Sequence, residues 1–490
     1  MSNSGKDAAS KQKQSMTQGE QLAKAIRWIA NDQLFAKVRV HGNANWVPTH
    51  LMQVAILWVW SSQSLLVEST KDAIKSVESL FGTTGIHSYQ TLITALQKYT
   101  EQILPPLVQR MHHLMEKTDQ ASFRIGIWLV LAVDGSRLDA CRTLANEKRF
   151  CKPKNKRGSK KNKKNKKNKK NKKNKKNKRG RHANKRKPVS KKKNYNPQPV
   201  GPQVWLTLLW HVGQRLPWAW KIGPSYSSER AHLLEMLNAL DLPKNTLICG
   251  DAGFVGYDFW NAIDSHGHHF LTRVGSNCRF LKQLGRVRER DGIVYCWPKE
   301  KQQRKQPPLV LRLLRFHDGR GEVYLVTNEL NSRKLSDSRA GEIYRKRWGI
   351  EVQFRSLKQT YGRSKLLGRT PDVVEHELTW SLVGLWMAQL LALREQIDRI
   401  EPAAQTSVAM VLRILQNILH CPNEIPARGE SLRSLLAGAL TDTYDRASKK
   451  KSRNYPRRKE EPRTGPPTIE LATAEQQKLA KATLDLSNAA

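Results

Sequence analysis

Residues 344–358, "YRKRWGIEVQFRSLK", hold a single acid, Glu351, among five Arg and Lys side chains. On an α-helix advancing about 100° per residue, Tyr344, Arg347, Glu351 and Lys358 share a stripe about 60° wide. Ile343, Ile350, Phe354 and Leu357 fall on the adjoining face, so the stretch reads as a helix packed on a core with a polar working edge. Such an edge is either a solvated face carrying an i,i+4 ion pair, Arg347 with Glu351, or part of a site. Two further carboxylates bear on that choice. Asp134 and Asp251 close the apolar runs "IGIWLVLAVDG" and "NTLICGDAG", and each precedes a small residue, Gly135 or Ala252, that leaves the carboxylate accessible. In α/β folds, sites gather at the carboxyl ends of strands. An Asp at a strand end is equally an ordinary turn residue. Asp139 and Asp258, close to the two candidates, fit such plain roles, one past the turn and one at a helix start.

The elements that would position these acids sit in a strongly basic chain. Its 490 residues carry 86 Lys and Arg against 42 Asp and Glu, a net charge of +44. Residues 152–193 supply 25 of those cations and no acid, which leaves +19 on the remainder. A polyanion is the expected partner. No apolar run approaches the length of a membrane span, and the polar start "MSNSGKDAASKQKQS" lacks the apolar core of a secretion signal. Six cysteines (141, 151, 249, 278, 296, 421) lie far apart with no CxxC pair, which argues against a zinc site or a disulfide scaffold. The expectation is a soluble protein of a reducing compartment, cytoplasmic and associated with the nucleoid.

Along the chain, residues 1–120 read as a helical domain suited to DNA end binding, with Ser88 as an N-cap. Residues 121–400 read as an α/β catalytic domain. It begins with a strand ending at Asp134 and is interrupted at 152–197 by a Lys/Asn-rich repeat that cannot build a core and is expected to be disordered. "VWLTLLWHV" and "LPWAWKIG" then form a hairpin, followed by a helix over "SSERAHLLEMLNAL", the strand ending at Asp251, a helix over "YDFWNAIDSHG" and the strand "HHFLTRV". A β-rich insertion spans 275–335. One helix from about 338 to 361 carries Glu351, and another follows at about 377–396. Residues 401–490 read as a helical region with a basic tail.

A strand–Asp, a hairpin, a helix, a second strand–Asp and a later helix with Glu is the element order of an RNase H-like core. The chain resembles a DDE transposase of the insertion-sequence-4 family. That family carries Tyr-x2-Arg-x3-Glu-x6-Lys on the helix bearing its third acid, matched here by Tyr344, Arg347, Glu351 and Lys358. "VDGS" and "GDAGF" also follow the family's style around its first two acids, and the resemblance covers about 125–400 without the lysine tract. It implies an RNase H-like mixed sheet flanked by helices, with Asp134, Asp251 and Glu351 as catalytic metal ligands. The cofactor implied is Mg²⁺, two ions, with Mn²⁺ able to substitute. Two divalent ions about 3.5–4 Å apart can hold the attacking and leaving oxygens of a phosphodiester in line, and hard ions prefer carboxylate oxygen to Cys or His. Arg347 and Lys358 would then clamp phosphates, and Tyr344 would lend a hydroxyl or a packing face. Trp297, in the matching β insertion, would either stack on a flipped base or pack in the strand core.

The function so implied is cleavage at element ends and strand transfer into target DNA. Its partners are double-stranded DNA, as terminal inverted repeats and target, and a second copy in a synaptic homodimer. Two other readings are a nuclease without strand transfer and a non-catalytic DNA-binding protein derived from a transposase. A basic RNA-binding protein would explain the charge but not the three acids.

Overall fold

A computed structural model describes residues 16–82, 84–153, 201–285, 287, 289, 292–317, 321–397, 405–441 and 465–488. The Lys/Asn tract, apart from its first two residues, and most of the basic tail lie outside the described residues. The chain opens with helices α1 (Gln18–Ile29), α2 (Pro48–Trp60), α3 (Leu66–Phe81), α4 (Tyr89–Thr118) and the single turn α5 (Gln120–Phe123). Thr17 and Glu20 form a reciprocal capping box at the start of α1, and Ser88 caps α4 as its position in the sequence suggests. Helix α2 is apolar on all sides and buried along almost its whole length.

The sheet begins with β1 (Leu129–Ala140), which α6 (Leu144–Phe150) follows, and continues with the hairpin β2 (Gln203–His211) and β3 (Leu216–Pro224). Helix α7 (Glu229–Ala239) leads to β4 (Thr246–Gly250), and α8 (Tyr257–Ser265) to β5 (His269–Val274). These five strands lie in the order β3-β2-β1-β4-β5, with β1–β2–β3 antiparallel and β1, β4 and β5 parallel. That is the RNase H-like mixed sheet. The parallel strands β1 and β4 open as wholly buried runs, as strands covered on both faces must.

Strand β1 differs from expectation. It does not stop at Asp134 but runs on to Ala140, because β2 pairs with it from Leu131 through Asp139. The parallel partner does stop: the last β1–β4 pair is Ala132 with Cys249. Asp134 stands two residues beyond that pair on β1 and Asp251 just past the end of β4, so the register brings both acids to the same end of the parallel pair.

The β-rich insertion extends the same sheet. Strands β6 (Arg279–Lys282), β7 (Ile293–Cys296), β8 (Leu309–His317) and β9 (Glu322–Thr327), with helix α9 (Lys299–Gln303), join it where β9 pairs antiparallel with β5. The expected long signature helix is broken instead into α10 (Asp337–Lys346), α11 (Gly349–Arg355) and a π-helical turn over Ser356–Thr360. Between the helices, Trp348, Ile350 and Glu351 donate to carbonyls three residues back, a tighter winding than α. Gly349 is what lets this join sit against the sheet, since a Cβ there would collide with the Trp210 ring of β2.

The short β10 (Lys365–Leu366) pairs with the far end of β1, and α12 (Pro371–Gln396), α13 (Val408–His420) and α14 (Leu432–Ala437) follow. A late strand, β11 (Thr468–Leu471), adds to the β6 edge ahead of α15 (Ala474–Asn488). The N-terminal helices share one core with α12. Trp60 Nε1 donates to the Gly384 carbonyl at 2.9 Å, and Trp380 Nε1 to Thr100 Oγ1 at 3.1 Å.

Candidate active site

Four elements bring the candidate acids together: the middle of β1, the end of β4, the first turn of α11 and, unforeseen from the sequence, the first turn of α7. Asp134 accepts the Gly135 amide at 2.8 Å, and Asp251 accepts the Gly253 amide at 2.8 Å. Neither has an ion-pair partner within 4 Å among the described residues. Burial pushes the Asp134 carboxyl up from 3.8 to about 6, opposed by its bond to the Gly135 amide and reinforced by Asp251 and Glu351. Burial likewise raises Glu351, which Arg347 pulls back and Asp251 pushes further up. The fields of Asp251 and Glu351 therefore both reach Asp134, which places the three predicted acids in one locale.

Glu229, which the sequence reading passed over inside a helix, belongs to the same locale. Its carboxyl is pushed up to about 7, first by burial and then by Asp134 and Asp251, against the opposing charges of Arg137 and Arg230. The only sequence signal is an acid at a helix start after the hairpin, and such acids are commonplace because they suit the helix dipole.

Arg347 is buried, only 9% exposed, at the join between α10 and α11. Its guanidinium lies 3.9 Å from Glu351 and 5.4 Å from the Tyr344 ring centre. Burial alone would lower its pKa, but Tyr344, Cys249, Asp251 and Asp134 outweigh that and raise it. Its Nε has no hydrogen-bond partner among the described residues. A buried cation with one long ion-pair contact, to Glu351, and within the fields of Asp251 and Asp134 is suited to hold a phosphate beside them. Tyr344 is half-buried beside it, its ring edge-on to Phe316.

Lys358 is placed elsewhere. The helix break and the π-helical turn carry it away from the acids, toward Asp139 at the far end of β1, whose charge offsets part of the lowering that burial causes. Trp297 is 4% exposed, and its Nε1 donates to the Gln306 carbonyl at 2.7 Å, so the ring packs in the insertion. Trp348, between Arg347 and Gly349, is by contrast 55% exposed.

The donor set consists of oxygen carboxylates alone, which suits hard divalent ions. Among the described residues no three His, Cys, Asp or Glu side chains stand close enough to hold one ion as they are. The crowding of mostly unpaired carboxylates nevertheless matches a site whose charge a cation balances. No helix among the described residues is long and apolar enough to cross a membrane.

The sequence model for the transposase DDE domain matches residues 129–387. The chain is 27% identical over 208 residues to the transposase InsG for insertion sequence element IS4 of Escherichia coli (strain K12), covering 39% of this chain and 46% of that relative. Among solved structures it is similar to the piggyBac transposase synaptic complex with hairpin DNA, at a TM-score of 0.34 and 10% identity over 87% of this chain and 84% of that one. The family match takes in more than half of the sequence, and on it the chain belongs to the DDE transposase family.

Proposed function

We propose that the protein is a transposase that cleaves DNA at the ends of its element and joins the freed 3′-hydroxyls to target DNA, using Asp134, Asp251 and Glu351. The observation that supports this is the β1–β4 register, which brings Asp134 and Asp251 to one end of the parallel pair, together with the Arg347–Glu351 pair whose charges reach Asp134. The divalent ion is Mg²⁺, as a pair, with Mn²⁺ able to replace it. It supplies charge neutralisation at the phosphate and a water or 3′-hydroxyl activated for attack. Asp134, Asp251 and Glu351 would hold it. Arg347 orients a non-bridging phosphate oxygen, with Tyr344 fixing the plane of the guanidinium. Lys358, at the other end of β1, takes a phosphate further along the strand. The exposed ring of Trp348 offers a face on which a base near the cut can stack.

Ends are recognised by the faces of the N-terminal helices turned away from α12. Helix α2 cannot read DNA, because its side chains are in the core. Two copies pair the ends in a synaptic complex, and the reaction takes place on DNA in the cytoplasm. The test is nicking and strand transfer on an end duplex with Mg²⁺. Asp134→Asn, Asp251→Asn and Glu351→Gln should each lower both rates on the order of 10³-fold or more while end binding persists. Wild-type nicking by any of the three removes that residue from the site.

A further inference from the structure

We infer that Glu229, on α7, is a fourth carboxylate of the metal site, beside Asp134, Asp251 and Glu351. The inference rests on the reading of Asp134 and Asp251 as metal ligands. Its evidence is the fit between Glu229 and Gly135. Gly135 sits mid-strand, paired with Thr207, and its backbone is not in the left-handed region. No turn or conformational need calls for glycine there. A Cβ on residue 135 would fall where the flexible carboxyl end of Glu229 now lies, so a larger residue there would displace that carboxyl. The absent side chain brings one acid against the backbone that carries another, Asp134.

A structural role does not explain such an acid. Glu229 makes no hydrogen bond and no ion pair among the described residues. The cations whose charges reach it are engaged elsewhere. Arg230 donates to the Val255 carbonyl at 2.9 Å, and the Arg137 guanidinium lies 4.6 Å over the Trp205 ring. A half-buried carboxylate beside two like charges, with no partner, lowers stability unless a cation joins it. A glutamine would fill the same space without that cost. The chemical class it suits is a hard divalent ion with oxygen ligands, shared with Asp134.

The test titrates Mn²⁺ calorimetrically into the full-length protein, with and without an end duplex, alongside thermal melts with and without Mn²⁺. Wild type, Glu229→Gln and the double variant Asp134→Asn/Asp251→Asn are compared. Glu229→Gln should bind Mn²⁺ about tenfold more weakly or worse. Its metal-free melting temperature should equal or exceed that of wild type, and its gain on adding Mn²⁺ should shrink. Wild-type affinity in Glu229→Gln would overturn the inference. So would a metal-free melting temperature below wild type, which would make Glu229 a packing residue. Unaltered Mn²⁺ binding by the double variant, or none by wild type even with DNA, would instead overturn the metal reading on which the inference rests.

Discussion

The two acids of β1 sit five residues apart, about 17 Å along the strand, in opposite electrostatic settings. Around Asp134 the neighbours include Asp251, Glu351 and Glu229, opposed by the charges of Arg347, Arg137 and Arg230, of which only Arg347 comes within 4 Å of one of these acids, Glu351, among the described residues. At Asp139 the charge is matched: Gln203 donates an amide at 2.8 Å, and the Lys358 ammonium lies within its field. One strand thus carries an unbalanced site and a balanced one. Unbalanced charge in a partly buried locale has to be offset by something that binds there, whereas matched charge at a surface sets affinity and register without taking part in chemistry.

The contrast is most exposed to challenge at Arg347. Replacing it with Lys keeps the charge but loses the planar fork, and the nicking rate should fall on the order of 10- to 100-fold with little change in end affinity. A wild-type rate would make Arg347 a plain ion-pair partner of Glu351. The next test is stability against pH without metal. Folded Asp134 titrates near 6 against an ordinary 3.8, and Glu229 near 7 against 4.5. Between those values the folded chain holds more protons than the unfolded one. The contribution to stability is therefore full below about pH 4 and is lost as pH rises through 6 to 7. Melting curves of wild type and Asp134→Asn from pH 4.5 to 7.5 should converge at the acid end, with the variant the more stable at pH 7. A gap of the opposite sign would mean that Asp134 is stabilised by a partner. At the balanced end, Lys358→Ala should reduce the salt dependence of DNA binding by about one phosphate's worth and spare the chemical step. Its loss should add to that of Arg347→Ala, since the two lie too far apart to share a phosphate. The smallest effect is expected at Trp297. Trp297→Phe forfeits the bond to Gln306, about 1 kcal/mol of stability, and should leave both nicking and strand transfer unchanged. Selective slowing of either step would return Trp297 to the DNA.

Much of this was legible in the sequence. Buried apolar runs marked β1 and β4, the hairpin and its following helix fell where their apolar segments put them, and the signature spacing picked out Glu351 and Arg347 as candidates. The rest depended on partners that a linear reading does not see. That β1 continues past Asp134 follows from its ladder with β2, while the apolar pattern fades at the same point. The break at Arg347–Trp348 is set by Trp210 pressing on Gly349, more than 130 residues away in sequence, and it shifts Lys358 off the stripe that an ideal helix predicts. Glu229 left no periodic trace, because one acid at a helix start is ordinary and its role depends on an absent side chain on another strand.

The shared core of α2, α4 and α12 also constrains how the chain is made. Helix α2 leaves the ribosome with almost every side chain in need of cover. The surface that covers much of it, on α12 from Pro371 to Gln396, emerges over 300 residues later. At 5–20 residues per second that is roughly 15–60 s of translation. Throughout that interval an all-apolar helix must be shielded by neighbouring helices or by a chaperone, so the yield of folded protein should depend on translation speed between residues 60 and 396.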